Sequence, residues 1–486
     1  MRWNCVWMAM AIAVVLHSGT CSAQAAPGRV VILVDAPGSS PLPCRIHLED
    51  GEGKAVQPKT GPFWHDHFDC DGRAELDLQP GKYTYEVEHG PELPAATGQF
   101  TLAEGEMKTV PVHLTRLVHM ANEGWYSGDL HIHRPVDEIA LLMRAEDIHI
   151  APVITWWNER NEWKDKPPPT ERLLKVDGNR FACLMAGEDE REGGALLYFH
   201  LKEPLPITGA NREYPSPLAF VALARKQKGA WIDAEKPFWY DLPVWLASGE
   251  IDSIGIANNH MTRDRMFPGE AWGRPRDAQR LPEPLGNGYW SQEIYYHVLN
   301  CGLRIPPSAG SASGVLPNPV GYNRVYVHLD SPLAYDAWWQ GLRAGCSFVT
   351  NGPLLRFRAN GEWPGHVFSS DAARPMTLSL KAQLTSREPI RVIEVIQNGH
   401  VVRTVSAREW TEKGTLGSVR FDSSGWLLVR VLANNPKTFR FASTAPFFVE
   451  IGSTKRRISR SSARFFLDWV RERIGGIKLD DPAERQ

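Results

Sequence analysis

The stretch Trp125-Tyr126-Ser127-Gly128-Asp129-Leu130-His131-Ile132-His133 is the most informative segment of this 486-residue chain. It ends in two histidines separated by a single residue. Because side chains alternate along an extended strand, His131 and His133 are expected to point to the same side. Two imidazoles on one side of a strand form half of a metal site. We expect Asp129 to hold one of them in its metal-binding tautomer.

A pattern of short apolar segments and helical stretches surrounds this motif, over about 119–370. The candidates for buried strands are 148–155, 195–199, 229–232 and 254–257, and a helix is predicted over 217–226. Repeated strand–helix units predict a parallel sheet or a barrel. In such folds, ligands gather at the carboxyl ends of the strands.

Acidic and imidazole side chains follow several of these predicted strands. The candidate metal ligands are His131, His133, Glu188, Glu235 and His260, and the candidate catalytic groups are His200 and Glu235. Imidazole and carboxylate ligands without a thiolate suit zinc, manganese or iron. Each residue also has an ordinary interpretation. His200 could be a hydrogen-bonded strand end, Glu188 part of a solvated acidic loop, and Glu235 the ion-pair partner of Lys236.

The regions on either side of this segment are rich in predicted strands. Residues 28–118 alternate like a β-sandwich and resemble carboxypeptidase-regulatory-like modules, through Asp71-Gly72-Arg73-Ala74 and 78–83. This region holds a second His-x-His, His65-Asp66-His67, which we predict to be an ordinary loop. Residues 371–486 are predicted to be β-rich and to end in a helix that docks on the core.

The first 25 residues are typical of a secretory signal peptide, with Arg2 before an apolar run over 6–16 and small residues near 21–25. This predicts a periplasmic or extracellular protein, in which Cys44 and Cys70 could form a disulfide. The net charge of −2 indicates neither a nucleic-acid partner nor an electrostatic membrane anchor. No later segment is long and apolar enough to predict membrane insertion, and the sequence leaves the oligomeric state open.

The order of these motifs resembles that of the PHP (polymerase-and-histidinol-phosphatase) metallohydrolases, CehA/McbA-like branch, over about 120–365. Residues 128–133 resemble the opening motif, Gly187-Glu188 followed by His200 resembles the second, and 341–353 resemble a late signature. The resemblance implies an α/β fold: a distorted (β/α)7 barrel over 119–370, flanked by the N-terminal β-sandwich and the C-terminal β-rich region. It also implies that His131, His133 and Glu188 are metal ligands, with Glu188 bridging.

The resemblance further implies that His200 is another ligand or contacts the leaving group, and that Asp129 lies behind the ligands. Three motifs depart from the family pattern. Thr-Asp-His-Asn appears as 155–158 (Thr-Trp-Trp-Asn), Ala-His-Pro as 234–237 (Ala-Glu-Lys-Pro), and Ser-Asp-x-His as 311–314 (Ser-Ala-Ser-Gly). Glutamate can replace a histidine ligand, whereas tryptophan and alanine cannot. We therefore expect a reduced site with one or two divalent ions.

These features predict an exported metal-dependent hydrolase that cleaves an ester or phosphoester bond of a small-molecule or glycan-containing substrate with a metal-activated water. Trp156 and Trp157 would wall the substrate pocket. The alternative is a non-catalytic PHP-like barrel that binds a glycan or a protein partner. A third idea, a metal-free glycosidase using Glu188 and Glu235, requires a defined carboxylate separation that the sequence cannot supply.

Overall fold

The computed structural model describes residues 25–371, 374–479 and 481–485. The predicted signal peptide lies outside these residues, apart from Ala25. Strands make up 38% of the structure and helices 17%, so the fold is mostly β. No helix within the described part of the chain has the length and apolar character needed to cross a lipid bilayer.

The N-terminal region forms two sheets around a core of its own. Its strands are β1 (Gly28–Asp35), β2 (Cys44–Glu49), β3 (Phe63–Trp64), β4 (His67–Cys70), β5 (Arg73–Leu78), β6 (Gly81–Glu88), β7 (Ala96–Leu102) and β8 (Met107–His113). One sheet has the order β5-β1-β8 and the other β3-β4-β2-β6-β7. In β5, buried and exposed residues alternate strictly, as expected for a strand with one face on a core. Cys44 on β2 lies opposite Cys70 on β4, with 3.7 Å between the sulfur atoms.

The central region follows. Its elements are β9 (Trp125–Gly128), α1 (Ile139–Ala145), β10 (Ile150–Trp157), β11 (Arg160–Asn161), β12 (Leu173–Asp177), β13 (Arg180–Arg191), β14 (Gly194–Phe199), α2 (Pro217–Lys226), β15 (Trp231–Ala234), α3 (Leu242–Ser248), β16 (Ser253–Ala257), α4 (Gly286–Asn300), β17 (Pro307–Ala309), β18 (Arg324–His328), α5 (Tyr335–Ala344), β19 (Ser347–Thr350), β20 (Leu354–Ala359) and β21 (Val367–Ser370). The helix predicted over 217–226 is confirmed as α2. Ser216 caps it by accepting a hydrogen bond from the Leu218 amide, and Pro217 occupies its first turn.

The predicted (β/α)7 barrel is wrong. Such a barrel needs parallel strands, each followed by a helix. Here β14 runs antiparallel to both β13 and β15, and β18 runs antiparallel to both β9 and β19. Between β10 and β14, where every residue is described, the chain forms strands and turns but no helix. The parallel pairs between two strands of the central region are confined to β9–β10–β13 and β15–β16–β17.

The error has a physical cause. A short apolar run predicts a buried strand but carries no information about the direction of its neighbours. The signal that was available is the two-residue turn Glu192-Gly193, across which Arg191 pairs with Gly194. A turn of this length joins antiparallel strands, because a parallel connection needs a much longer crossover.

The C-terminal region is joined to the central sheet. Its elements are β22 (Met376–Thr385), β23 (Ile390–Gln397), β24 (His400–Ser406), α6 (Ala407–Lys413), β25 (Ser418–Phe421), β26 (Gly425–Ala433), β27 (Phe441–Thr444), β28 (Phe447–Ile451) and α7 (Arg460–Gly476). Strand β27 pairs with β19, and β28 pairs with β21. Strands β20, β22 and β25 form a separate small sheet. Helix α7 is the predicted docking helix. It buries Trp469, whereas Ile474 is 65% exposed.

Candidate metal centre

The two histidines of the opening motif lie just beyond the carboxyl end of β9. Ile132, between them, forms bridges to Val153 on β10 and to Ser313, which keep the segment extended. Because alternate residues of an extended segment share a side, His131 and His133 face the same way. Their Nε2 atoms are 2.9 Å apart.

Glu188 completes the cluster from β13. Its Oε2 atom lies 3.3 Å from Nε2 of His131 and 3.1 Å from Nε2 of His133. Glu188 comes close because β13 runs parallel to β10, with Glu188 paired to Trp157 at the last position of that strand. His131 and Glu188 are buried, and the side chain of His133 is 8% exposed. The structure thus brings together three of the predicted metal ligands.

Glu235 lies on the far side of His131. Its Oε1 atom is 3.3 Å from Nδ1 of His131, while the opposite ring nitrogen faces Glu188. Its other carboxylate oxygen accepts hydrogen bonds from Lys236 and from the Trp239 indole. This placement puts a carboxylate behind His131, a position from which carboxylates often orient metal-binding imidazoles. The ion pair with Lys236, raised above as the ordinary interpretation, is present at the same time.

Asp129 plays a different part from the expected one. Its carboxylate accepts hydrogen bonds from the backbone amides of His131 (3.0 Å), Ser311 (3.0 Å) and Gly321 (2.7 Å), and from the Ser311 hydroxyl. None of these donors is an imidazole. Burial raises the pKa of Asp129, and these hydrogen bonds oppose that shift. Asp129 therefore braces the backbone that carries the histidines, rather than setting their tautomer.

Charge in the cluster is balanced by one imidazolium. Burial alone would lower the pKa of His131, but Glu188 and Glu235 outweigh it and raise that pKa to about 10. Burial is the largest influence on His133 and lowers its pKa. The pKa of Glu188 is lowered: burial opposes ionisation, but His131 and His133 overcome it. A proton on His131 thus supplies positive charge at the point where a divalent cation would sit, and binding of a cation would release that proton.

The donor set fits a divalent transition-metal ion. Two imidazoles and one carboxylate, with ligand atoms all within 4.8 Å of one another, match a three-ligand site that leaves further positions for water or substrate. Such ligands suit zinc, manganese or iron. The nearest aromatic wall is Trp157, whose ring centre lies 4.9 Å from that of His133. Trp156, also expected in the wall, packs instead against Tyr198 in the core.

Two further predicted residues lie outside the cluster. His200 follows β14, three residues beyond Leu197, which pairs with Glu188, and its φ of 63° turns it out of the strand. The ring of His200 packs against Trp339, 4.4 Å between centres, and its Nδ1 lies 3.3 Å from the Gly229 carbonyl oxygen. His260 lies nearer to the cluster than His200 does, since the charges of Lys236 and Glu235 influence its pKa. Its Nδ1, however, lies 3.0 Å from the Gly269 carbonyl oxygen.

Sequence reasoning did not single out Lys236 and Glu190 as members of this neighbourhood. Lys236 is 3% exposed and lies 4.4 Å above the Trp239 ring. Glu190 shares a face of β13 with Glu188, and burial together with the Glu188 charge raises its pKa to about 7. The period of two along a strand was the available signal for Glu190. This signal was missed because the acidic run 188–190 resembles a solvated loop.

A second cluster lies in the N-terminal region, around the other His-x-His motif. The carboxylate of Asp66 contacts the imidazoles of His67 and His47. Its oxygens lie 2.9 Å from Nδ1 of His67 and 3.3 Å from Nδ1 of His47. Nδ1 of His65 lies farther from this carboxylate, at 4.0 Å, and 56% of the His65 side chain is exposed. Arg45 Nε donates to Nε2 of His47 over 3.1 Å. That bond leaves the ring proton of a neutral His47 on Nδ1, directed at Asp66, so this cluster is satisfied by hydrogen bonds alone.

Comparisons with known proteins add little to this geometry. No family model matches the chain, and no curated protein matches it. Among solved structures, the N-terminal eight immunoglobulin domains of Down Syndrome Cell Adhesion Molecule align with 88% of this chain at 8% identity and a TM-score of 0.16. The N-terminal four immunoglobulin domains of Dscam1 align with 88% at 8% identity and a TM-score of 0.14. The chain spans 42% of the first structure and 73% of the second, and scores this low establish no shared fold.

Proposed function

We propose that this chain is an exported metal-dependent hydrolase that cleaves an ester or phosphoester bond. The observation that carries the proposal is the meeting of His131, His133 and Glu188 at one buried point, with contacts of 2.9–3.3 Å between their ligand atoms. A divalent ion bound there would lower the pKa of a coordinated water and polarise a carbonyl or phosphoryl oxygen.

Neighbouring residues would position the metal ligands. Glu235 holds Nδ1 of His131, so that Nε2 stays directed at the ion. Lys236 neutralises the second oxygen of Glu235 and keeps that carboxylate ionised. Trp157 packs edge-on against His133 and limits the rotation of its ring. A substrate would approach from the side of His133, whose side chain keeps 8% of its surface exposed.

Export is part of the proposal and is supported by the leader-like first 25 residues. The placement of Cys44 opposite Cys70 adds support, because a cross-strand pair of thiols suits an oxidising compartment. Recovery of the active protein only in the cytoplasm, with its first 25 residues still attached, would contradict export.

The test combines metal analysis with hydrolysis. We expect the purified full chain to bind zinc, manganese or iron and to hydrolyse at least one member of a panel of aryl ester, phosphomonoester and phosphodiester substrates. His131→Ala should lose both the metal and the activity. His400→Ala, which removes an exposed histidine on β24 that lies outside the cluster, is the control and should keep both. Activity that persists in metal-free protein, or an unchanged metal content in His131→Ala, would overturn the proposal.

A further inference from the structure

A cavity of about 580 Å³ lies on the small sheet formed by β20, β22 and β25. Its size falls within the range of pockets that hold small organic ligands. None of its lining residues belongs to the metal cluster, so an inference about it stands apart from the proposed function.

The wall of this cavity carries opposed positive charges. Strands β20 and β22 are antiparallel, and Arg358 lies directly opposite Lys381, while Arg356 lies opposite Gln383. The alternate residues of β20, such as Phe357, are buried in the core. Like charges directly opposite one another destabilise a sheet unless a counter-ion joins them. An anion placed between Arg358 and Lys381 would relieve this repulsion.

The arginines are held in position before any ligand binds. The Arg358 guanidinium lies 3.6 Å above the Trp363 ring and donates to the Gly361 carbonyl at 2.9 Å. Arg356 is 8% exposed, donates to the Thr385 hydroxyl at 3.0 Å, and has its Nε 3.2 Å from the Glu123 carboxylate. A rigid guanidinium loses little entropy when it binds a carboxylate or sulfate.

The charge of the wall is positive overall. Among the described residues that line the cavity, three are cationic (Arg356, Arg358 and Lys381), and Glu123 is the sole carboxylate. Gln383 and Thr415 add neutral groups that can exchange hydrogen bonds with hydroxyls. The chemistry of the wall suits a ligand that combines one anionic group with several hydroxyls.

We propose that this cavity binds an acidic sugar, a monosaccharide-sized ligand with a carboxylate or sulfate group. The anionic group lies between Arg358 and Lys381. The hydroxyls face Gln383 and Thr415. No bond is formed or broken at this site.

Isothermal titration calorimetry of the full chain with D-glucuronate tests the proposal, with D-glucose as the neutral analogue of similar size and inorganic sulfate as the bare anion. We expect glucuronate to bind more tightly than either. Lys381→Glu should weaken glucuronate binding by at least about tenfold, because it replaces an attraction with a repulsion. The control Lys437→Glu reverses the charge of another exposed lysine and should leave binding unchanged.

Three results would overturn the proposal: equal binding of glucuronate and glucose, equal binding of glucuronate and sulfate, or an unchanged affinity in Lys381→Glu. The thermal midpoint of the ligand-free protein checks the folded state and the charge argument together. Lys381→Gln relieves the repulsion from Arg358, so its midpoint should equal or exceed that of the parent chain. A lower midpoint would contradict the opposed-charge argument.

Discussion

The chain uses the same motif, His-x-His, in two places and for two different purposes. At 131–133, both imidazoles meet Glu188 at one buried point. At 65–67, only the second histidine enters a cluster, and its imidazole partner is His47 from a different strand. The comparison shows that the spacing of two histidines does not decide whether they act together.

Backbone conformation explains the first difference. Ile132 is bridged to strand neighbours on both sides, so the segment is extended and His131 and His133 share a side. His65, in contrast, lies in the turn between β3 and β4 and has a φ of 56°. A residue in the left-handed region reverses the chain direction, which ends the alternation on which the spacing argument depends.

The surrounding charges explain the second difference. Behind His131 lies the carboxylate of Glu235, which favours Nε2 as a metal ligand. Behind His47 lies the buried guanidinium of Arg45, which already donates to the ring and repels a cation. We therefore expect a metal ion at the first cluster and none at the second.

The largest expected effect is on metal content. His133→Ala should remove the bound ion, because it deletes one of three ligands. His67→Ala should leave the metal content unchanged, because the guanidinium of Arg45 beside His47 repels a cation. Metal per chain is measured by plasma mass spectrometry after dialysis. Loss of metal in His67→Ala, or its retention in His133→Ala, would reverse the assignment of the two clusters.

A smaller effect is expected at the carboxylate behind His131. Glu235→Gln keeps the size of the side chain but removes the charge that orients the ring, and it should weaken metal affinity by roughly 10- to 100-fold. Competition with a chelating dye measures the affinity. Glu270→Gln, which removes the charge of a buried glutamate paired with Arg276, is the matched control and should leave metal affinity unchanged. Equal affinities in Glu235→Gln and the parent chain would show that Glu235 does not orient His131.

The smallest effect is a pair of opposite pH dependences in the metal-free protein. His131 has a folded pKa of about 10, above its ordinary value, so its stabilising charge is complete below about pH 6.5 and is lost as pH rises through 10. His67 has a folded pKa lowered to about 3, chiefly by burial. Its contribution is complete above about pH 6.5 and is lost as pH falls toward 3.

Urea unfolding in the presence of a chelator measures both dependences. The difference in free energy of unfolding between the parent chain and His131→Asn should shrink as pH is raised above about 6.5. The corresponding difference for His67→Asn should shrink as pH is lowered below that value. Parallel slopes for the two variants would show that the clusters do not differ in charge state.

Much of the site could be predicted from short-range pattern. The period of two places His131 beside His133, and the apolar run before Glu188 predicts a buried strand that carries it. The position of His200 could not be obtained in this way. It depends on the left-handed φ of 63° at His200, which turns the residue out of the strand, and on the packing of its ring against Trp339. That Glu235 lies behind His131, and not among the metal ligands, follows only from the interatomic distances in the folded chain.

The sequence by itself determined the local features: the strand that leads into His131, the helix over 217–226, the alternation of β5, and the residue types suited to a metal. Only the tertiary structure decided most strand directions, the joining of the C-terminal strands to the central sheet, and which of two His-x-His motifs brings both of its imidazoles to a carboxylate. The physical reason is that alternation and capping act between residues near in the chain. Strand direction, in contrast, depends on pairing between distant segments, and the charge environment of His131 depends on Glu235, which lies far from it in the chain.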